Sequence, residues 1–170
     1  MTNHATATFI TQHHLFEATV DTGNYRLQEV MHSNISDYLN LKDVTIYRLT
    51  KDDAYSCAAS FPSAILNKAE IHLVLVKSET HEAPEKRLYS YVPKRTFPAF
   101  TTACGYDIQG QLSIAANPDP IGFLAREAKI FFPITRATLI HVSGGMEPIE
   151  VGVVLVRKAA VTFLQITNTN

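Results

Sequence analysis

The sequence predicts a mainly β protein in which one unit of five strands and a short helix is written twice. Three blocks of self-similarity carry this. Residues 67–76 lie on residues 157–166: Lys-Ala is identical at Lys68-Ala69 and Lys158-Ala159, and Ile71/Val161, Leu73/Phe163, Val74/Leu164 and Val76/Ile166 are all apolar pairs. Residues 41–46 (Leu-Lys-Asp-Val-Thr-Ile) lie on residues 134–139 (Ile-Thr-Arg-Ala-Thr-Leu), with Val30-Met31 on Phe123-Leu124 and Tyr38-Leu39 on Phe131-Phe132. The blocks keep their order at nearly constant spacing, which marks an internal duplication. The small change of offset falls around Thr50 to Ala54 and Ser143 to Pro148, where a loop belongs.

Each copy reads alike. A threonine-rich opening strand (Thr6 to Thr11; Phe100 to Cys104) leads into an alternating one, Phe16/Ala18/Val20 in the first copy and Ile108/Gly110/Leu112/Ile114 in the second. That period of two is the pattern of a half-buried strand. Leu27, Val30 and Met31 then recur at helical spacing, while Asp119 and Pro120 supply an N-cap and a first-turn proline before Phe123, Leu124 and Ala128. A long apolar strand follows, Leu39 to Leu49 and Phe131 to Val142, rich in β-branched and aromatic residues. Gly144-Gly145 marks a hairpin turn. Two closing strands, joined by tight turns at Asn67-Lys68 and Arg157-Lys158, complete the units.

The chain thus divides into a first repeat (1–80), a linker (81–96) rich in proline and charge whose centre, Leu88 to Val92, alternates like an edge strand, and a second repeat (97–170). Its 170 residues are 46% hydrophobic and 18% charged, enough apolar side chain to offset the entropy of ordering the backbone. No stretch approaches the roughly 20 apolar residues of a membrane span. A net charge of -1 gives no whole-molecule attraction to nucleic acid or anionic lipid. The N-terminus lacks the cationic start and apolar core of a secretory signal, and Cys57 and Cys104 are too far apart for a paired-cysteine metal site. Both features lead to the expectation of a cytoplasmic protein with reduced thiols.

The strand pattern with its tight Asn-Lys or Arg-Lys turn resembles the Sm-like small β-barrel. Gly110-Gln111-Leu112 looks like that family's glycine-containing second strand, residues 132–137 (Phe-Pro-Ile-Thr-Arg-Ala) resemble the segment of its first motif, and residues 154–161 (Val-Leu-Val-Arg-Lys-Ala-Ala-Val) resemble the second. The matching stretches of the first copy are 38–44 and 65–71. The resemblance implies two tandem small five-stranded Sm-like or SH3-like barrels, and the tandem layout is similar to that of an uncharacterised bacterial family, which implies no chemistry. Two departures stand out. The helix falls between the second and third strands rather than before the first, and Lys158 replaces the glycine that follows the family's turn arginine.

Units of this size bury too little surface to be comfortable alone. Leu73 and Leu75 with Ile71 are expected on one strand face, Val74 and Val76 on the other, and Leu164 and Ile166 repeat the second patch. Strands apolar on both faces are usually covered on both, so the barrels are expected to pack as a pseudo-dimer through Val74, Val76, Leu164 and Ile166, or to use this patch in a homo-oligomer or with a protein partner.

The residues show no phosphate loop, nucleophile elbow, dinucleotide fingerprint or zinc-protease helix. No catalytic residue, metal ligand or cofactor is therefore assigned. His13-His14 with Glu17 has metal-ligand residue types, but adjacent strand residues face opposite sides. Lys86, Arg87, Lys94 and Arg95 interleave with Tyr89, Tyr91 and Phe97, the composition of a single-stranded nucleic-acid platform, and Lys68, Arg157 and Lys158 extend it if the two turns meet. Three functions stand open: a non-catalytic binding or assembly module, an RNA-binding protein using these basic residues, and a small-ligand or enzymatic site in the crevice between repeats.

Overall fold

The computed structural model describes residues 3–50, 54–80, 94–115 and 119–168. The described residues form ten strands in one antiparallel sheet: β1 (Asn3–Ile10), β2 (His14–Gly23), β3 (Tyr38–Leu49), β4 (Tyr55–Asn67), β5 (Leu73–Glu79), β6 (Arg95–Ala103), β7 (Tyr106–Ile114), β8 (Phe131–His141), β9 (Ile149–Arg157) and β10 (Val161–Ile166). Their order is β10-β6-β7-β8-β9-β5-β1-β2-β3-β4. The first five strands therefore run β5-β1-β2-β3-β4 and the last five β10-β6-β7-β8-β9, the same order in each half. β5 and β9 join the halves edge to edge. Among the described residues no helix is long and apolar enough to cross a membrane.

The local signals act where the sequence places them. α1 (Leu27–His32) buries Leu27 and Met31, and the Asp119 carboxylate caps α2 (Pro120–Gly122) by accepting from the amides of Ile121 and Gly122. A wider helical turn over Phe123–Glu127 continues α2 and buries Phe123. Three-residue turns, Lys68–Glu70 and Lys158–Ala160, precede the closing strands. The linker's alternating centre lies outside the described residues, and β6 starts at Arg95, inside the segment read as linker.

The halves also share their irregularities. Asp43 and Arg136 both sit at φ 50, in the left-handed region where a Cβ costs roughly 1–2 kcal/mol. Asp43 lies in the gap that the β3–β4 register leaves opposite Pro62, and Arg136 in the gap opposite Gly152. The neighbouring strands shift register at the corresponding places, between Glu17 and Thr19 and between Gln109 and Gln111. Each bulge bends its strand and raises the local twist, which lets one side of the sheet enclose a core.

The described residues form two cores, and each borrows from the other half. The first contains Phe9, Leu27, Leu39, Leu41 and Val74 together with Phe131 and Leu155. The second contains Phe97, Tyr106, Ile108, Phe132 and Val154 together with Ile10, Leu15, Leu73 and Leu75. Ile71 packs with Val74 in the first core, not with Leu73 and Leu75. It precedes β5, so the strand's alternation does not extend back to it.

Candidate functional site: the joint and the open sheet edges

At the joint, Leu73, Val74, Leu75 and Val76 pair with Val156, Leu155, Val154 and Val153. Val74 and Leu155 point into one core while Leu73, Leu75, Val154 and Val156 point into the other, and all six are at most 3% exposed. Burying a Val or Leu side chain contributes about 1.5–3 kcal/mol, so this seam is apolar on both faces because both faces are covered. His32 adds a polar tie across it: Nε2 lies 2.7 Å from the carbonyl oxygen of Phe131. Of the residues read as an interface, Val74 and Val76 are on this seam, whereas Leu164 and Ile166 are on β10 at the far edge of the sheet.

The two basic turns do meet, but their cations serve the backbone. The Arg157 guanidinium donates to the carbonyl oxygens of Lys68, at 2.9 Å, and Ala69. Lys68 Nζ donates to the carbonyl oxygens of Val30 and Ser33 at 2.9 and 3.0 Å, closing the C-terminus of α1. Burial lowers the Lys68 pKa, opposed by Asp37. Lys158 is left exposed. Lys94 and Arg95 stand at the opposite end of β6 from Cys104, which touches the joint, about 30 Å along the strand; Lys86 and Arg87 lie outside the described residues. Glu17 of the His-His-Glu cluster accepts from the Tyr47 hydroxyl at 3.2 Å and pairs with Lys77.

A cleft of about 750 Å³ opens beside the joint, lined among others by His72, Cys104, His141 and Arg157. Cys104 and Gly105 form the two-residue β6–β7 turn, at φ 50 and 76, as a primed hairpin turn demands. That turn places Cys104 Sγ 3.1 Å from His72 Nδ1 and 3.3 Å from the Thr11 carbonyl oxygen to which it donates. Burial pushes the Cys104 thiol up. Burial and, after it, the charge of Arg157 push the His72 ring down, opposed by Glu70. Both shifts favour neutral forms, so the pair is a hydrogen-bonded thiol and imidazole rather than an activated thiolate. A thiol reagent is accordingly expected to label exposed Cys57 on β4 faster than half-buried Cys104; equal labelling rates under native conditions would contradict this.

The lowered imidazoles also set a pH dependence. His32 and His72 both titrate below the ordinary value of 6.5, first because of burial. The unfolded chain therefore binds protons more readily at these positions, so their contribution to stability is complete above 6.5 and is lost as the pH falls through the folded values. Tm is expected to fall on mild acidification, with a shallower slope in the His32→Gln/His72→Gln variant; identical slopes would refute the assignment.

Among the described residues the sheet ends in two open strands, β4 and β10. β4 exposes Phe61 and Ile65, at 48% and 67%, and β10 exposes Phe163 at 52%. Beside Ile65, Tyr38 on β3 is 50% exposed. Sequence reasoning missed this surface and the His72–Cys104 pair, whose partners lie far apart in the chain. It also missed a second hollow, about 790 Å³, between β2, β3 and α1, where the buried Thr22 hydroxyl has no hydrogen-bond partner among the described residues. Comparison with protein-family models, curated proteins and solved structures finds no match to this chain.

Proposed function

We propose that the chain is a non-catalytic assembly module: a duplicated pair of Sm-like small barrels whose working surfaces are the two open edges of the sheet. The repeated strand order and the paired irregularities at Asp43 and Arg136 support the duplicated-barrel reading. The observation that carries the functional reading is the exposure of large apolar side chains, Phe61, Ile65 and Phe163, on the two terminal strands. Unpaired edges of this kind are templates for strand addition. Arg157 and Lys68, the centre of the basic surface, are already committed to backbone carbonyls, which favours assembly over RNA as the role of this face.

The test uses a soluble peptide built on residues 161–166 with flanking lysines, labelled for fluorescence anisotropy. Saturable binding to the protein, lost on Ile65→Lys with an unchanged circular dichroism spectrum, supports an edge-binding module. Absence of binding at every accessible protein concentration overturns it.

A further inference from the structure

The internal joint is also a template for a second one. β5 closes the first half as β10 closes the second, each after a three-residue helical turn, and β4 and β9 stand in the same relation to β3 and β8. Joining a closing strand to a fourth strand is what connects the halves. Among the described residues the two ends of the sheet are the remaining fourth strand, β4, and the remaining closing strand, β10. We infer that β10 of one copy of this chain pairs antiparallel with β4 of a second copy, building a head-to-tail oligomer that repeats the β5–β9 joint; this inference rests on the edge-binding reading and names its partner.

The register follows from the equivalence of the halves. Lys68 corresponds to Lys158 at the closing turns, and Asn67 pairs with Tyr38 as Arg157 pairs with Phe131. Transferring the pairs Leu73–Val156, Val74–Leu155 and Leu75–Val154 gives Phe163 opposite Leu66, Leu164 opposite Ile65 and Gln165 opposite Ala64 of the second copy. Ile65 thus corresponds to Leu155, and Tyr38 to Phe131. Leu155 and Phe131 are 2% and 1% exposed because the other half covers them, whereas Ile65 and Tyr38 are 67% and 50% exposed. Phe163, 52% exposed, corresponds to Leu73, which is fully buried. The side chains sealed at the internal joint are thus the ones left bare at the edges. Pro62 does not obstruct the docking: the N–H it lacks belongs on the side facing Asp43 of β3, because residues 63 and 65 present their backbone groups outward.

Differences between the two joints set its strength. Gln165 stands where the internal joint has Leu75, and Ala64 where it has Val154. The joint between copies is less apolar than the one within the chain, so the oligomer is reversible on dilution. Such a contact is heterologous: it closes into a ring when the rotation at each joint divides a full turn and otherwise continues as a filament. Because every chain brings two halves, a ring contains an even number of them.

The pairing is tested in the full chain carrying Cys57→Ser. Leu164 and Ile65 would form the hydrogen-bonded pair, as the backbone bond between Arg157 and His72 dictates at the internal joint, so Gln165 and Ala64 form the close non-bonded pair suited to a disulfide. Mixing the single variants Ala64→Cys and Gln165→Cys under mild oxidation is expected to give one covalent heterodimer. Phe61→Cys mixed with Gln165→Cys, about 10 Å out of register, is expected to give none. Light scattering of the unmodified protein is expected to give multiples of 18.9 kDa, reduced to the single chain by Ile65→Lys with an unchanged Tm for the remaining monomer. A strict monomer at the highest soluble concentration overturns the inference, as does preferential disulfide formation between two Ala64→Cys chains, which would mean edge β4 meeting its own copy. If the peptide of residues 161–166 still binds a strictly monomeric protein, the edge-binding reading survives and only self-assembly fails.

Discussion

Leu155→Ala is expected to destabilise the chain by about 2–5 kcal/mol, whereas Ile65→Ala in the monomeric chain should change stability by no more than about 0.5 kcal/mol. The two residues occupy the same position in their halves, third from the end of the pairing with β8 or β3. They differ in what lies beside them. Leu155 is held against Val74 by β5 and is 2% exposed; Ile65 faces open solvent at 67%. Truncating Leu155 removes the transfer free energy of three carbons and leaves a void that Phe131 and Val74 can fill only by moving strands tied to both cores. Truncating Ile65 leaves no void. Urea unfolding of each variant at low protein concentration measures the contrast, and near-equal midpoints would mean that the joint does not hold the halves together. At high concentration the head-to-tail pairing predicts an additional loss for Ile65→Ala, because assembly stabilises the folded chain by mass action.

That contrast explains why some of the fold was readable and some was not. Hydrophobic positions repeat at fixed spacing because each half must fill a core of the same shape, so the element order, α1 and the Asp119 cap were all legible. The apolar character of β5 on both faces correctly implied cover on both faces. It could not say that β9 would lie beside it, because side-chain alternation records which way a residue points and not which strand accepts its hydrogen bonds. Ile71 shows the same limit, since the period of two was extended back through residues that precede the strand. Arg136 gave no signal for left-handed backbone, and Asp43, although of a type that tolerates it, stands inside an apolar strand pattern with no turn residue beside it. His72 and Cys104 meet only because a two-residue turn aims the thiol across the joint. The basic residues Lys68 and Arg157 were legible as members of two separate tight turns, but their carbonyl partners come from the α1 end and from the opposite half, so their structural duty could not be read locally.

Gly110→Ala is expected to destabilise the protein by about 1–3 kcal/mol, against the usual gain of about 0.4–1 kcal/mol when a glycine in a compatible conformation becomes alanine. A Cβ at Gly110 would lie 2.5 Å from Ile134 Cγ2, 2.9 Å from the Thr135 carbonyl oxygen and 3.3 Å from Ala137 Cα. The two backbone neighbours belong to the bulge around Arg136 and have little freedom to withdraw. The first half solves the same problem differently. There the bulge contains Ala18 on β2, 3% exposed, and the residue corresponding to Ile134 is Leu41, 2% exposed. Leucine branches one carbon later than isoleucine, so Leu41 carries no methyl at the point where Ile134 has Cγ2, and its half has a methyl at Ala18 where the other has Gly110. Combining Gly110→Ala with Ile134→Leu should therefore recover part of the loss, with a favourable coupling of about 1 kcal/mol in a double-mutant cycle. The Thr135 carbonyl contact remains in the double variant, so recovery should be incomplete. A cycle in which the two costs simply add would mean that Ile134 Cγ2 is not what excludes a methyl at position 110.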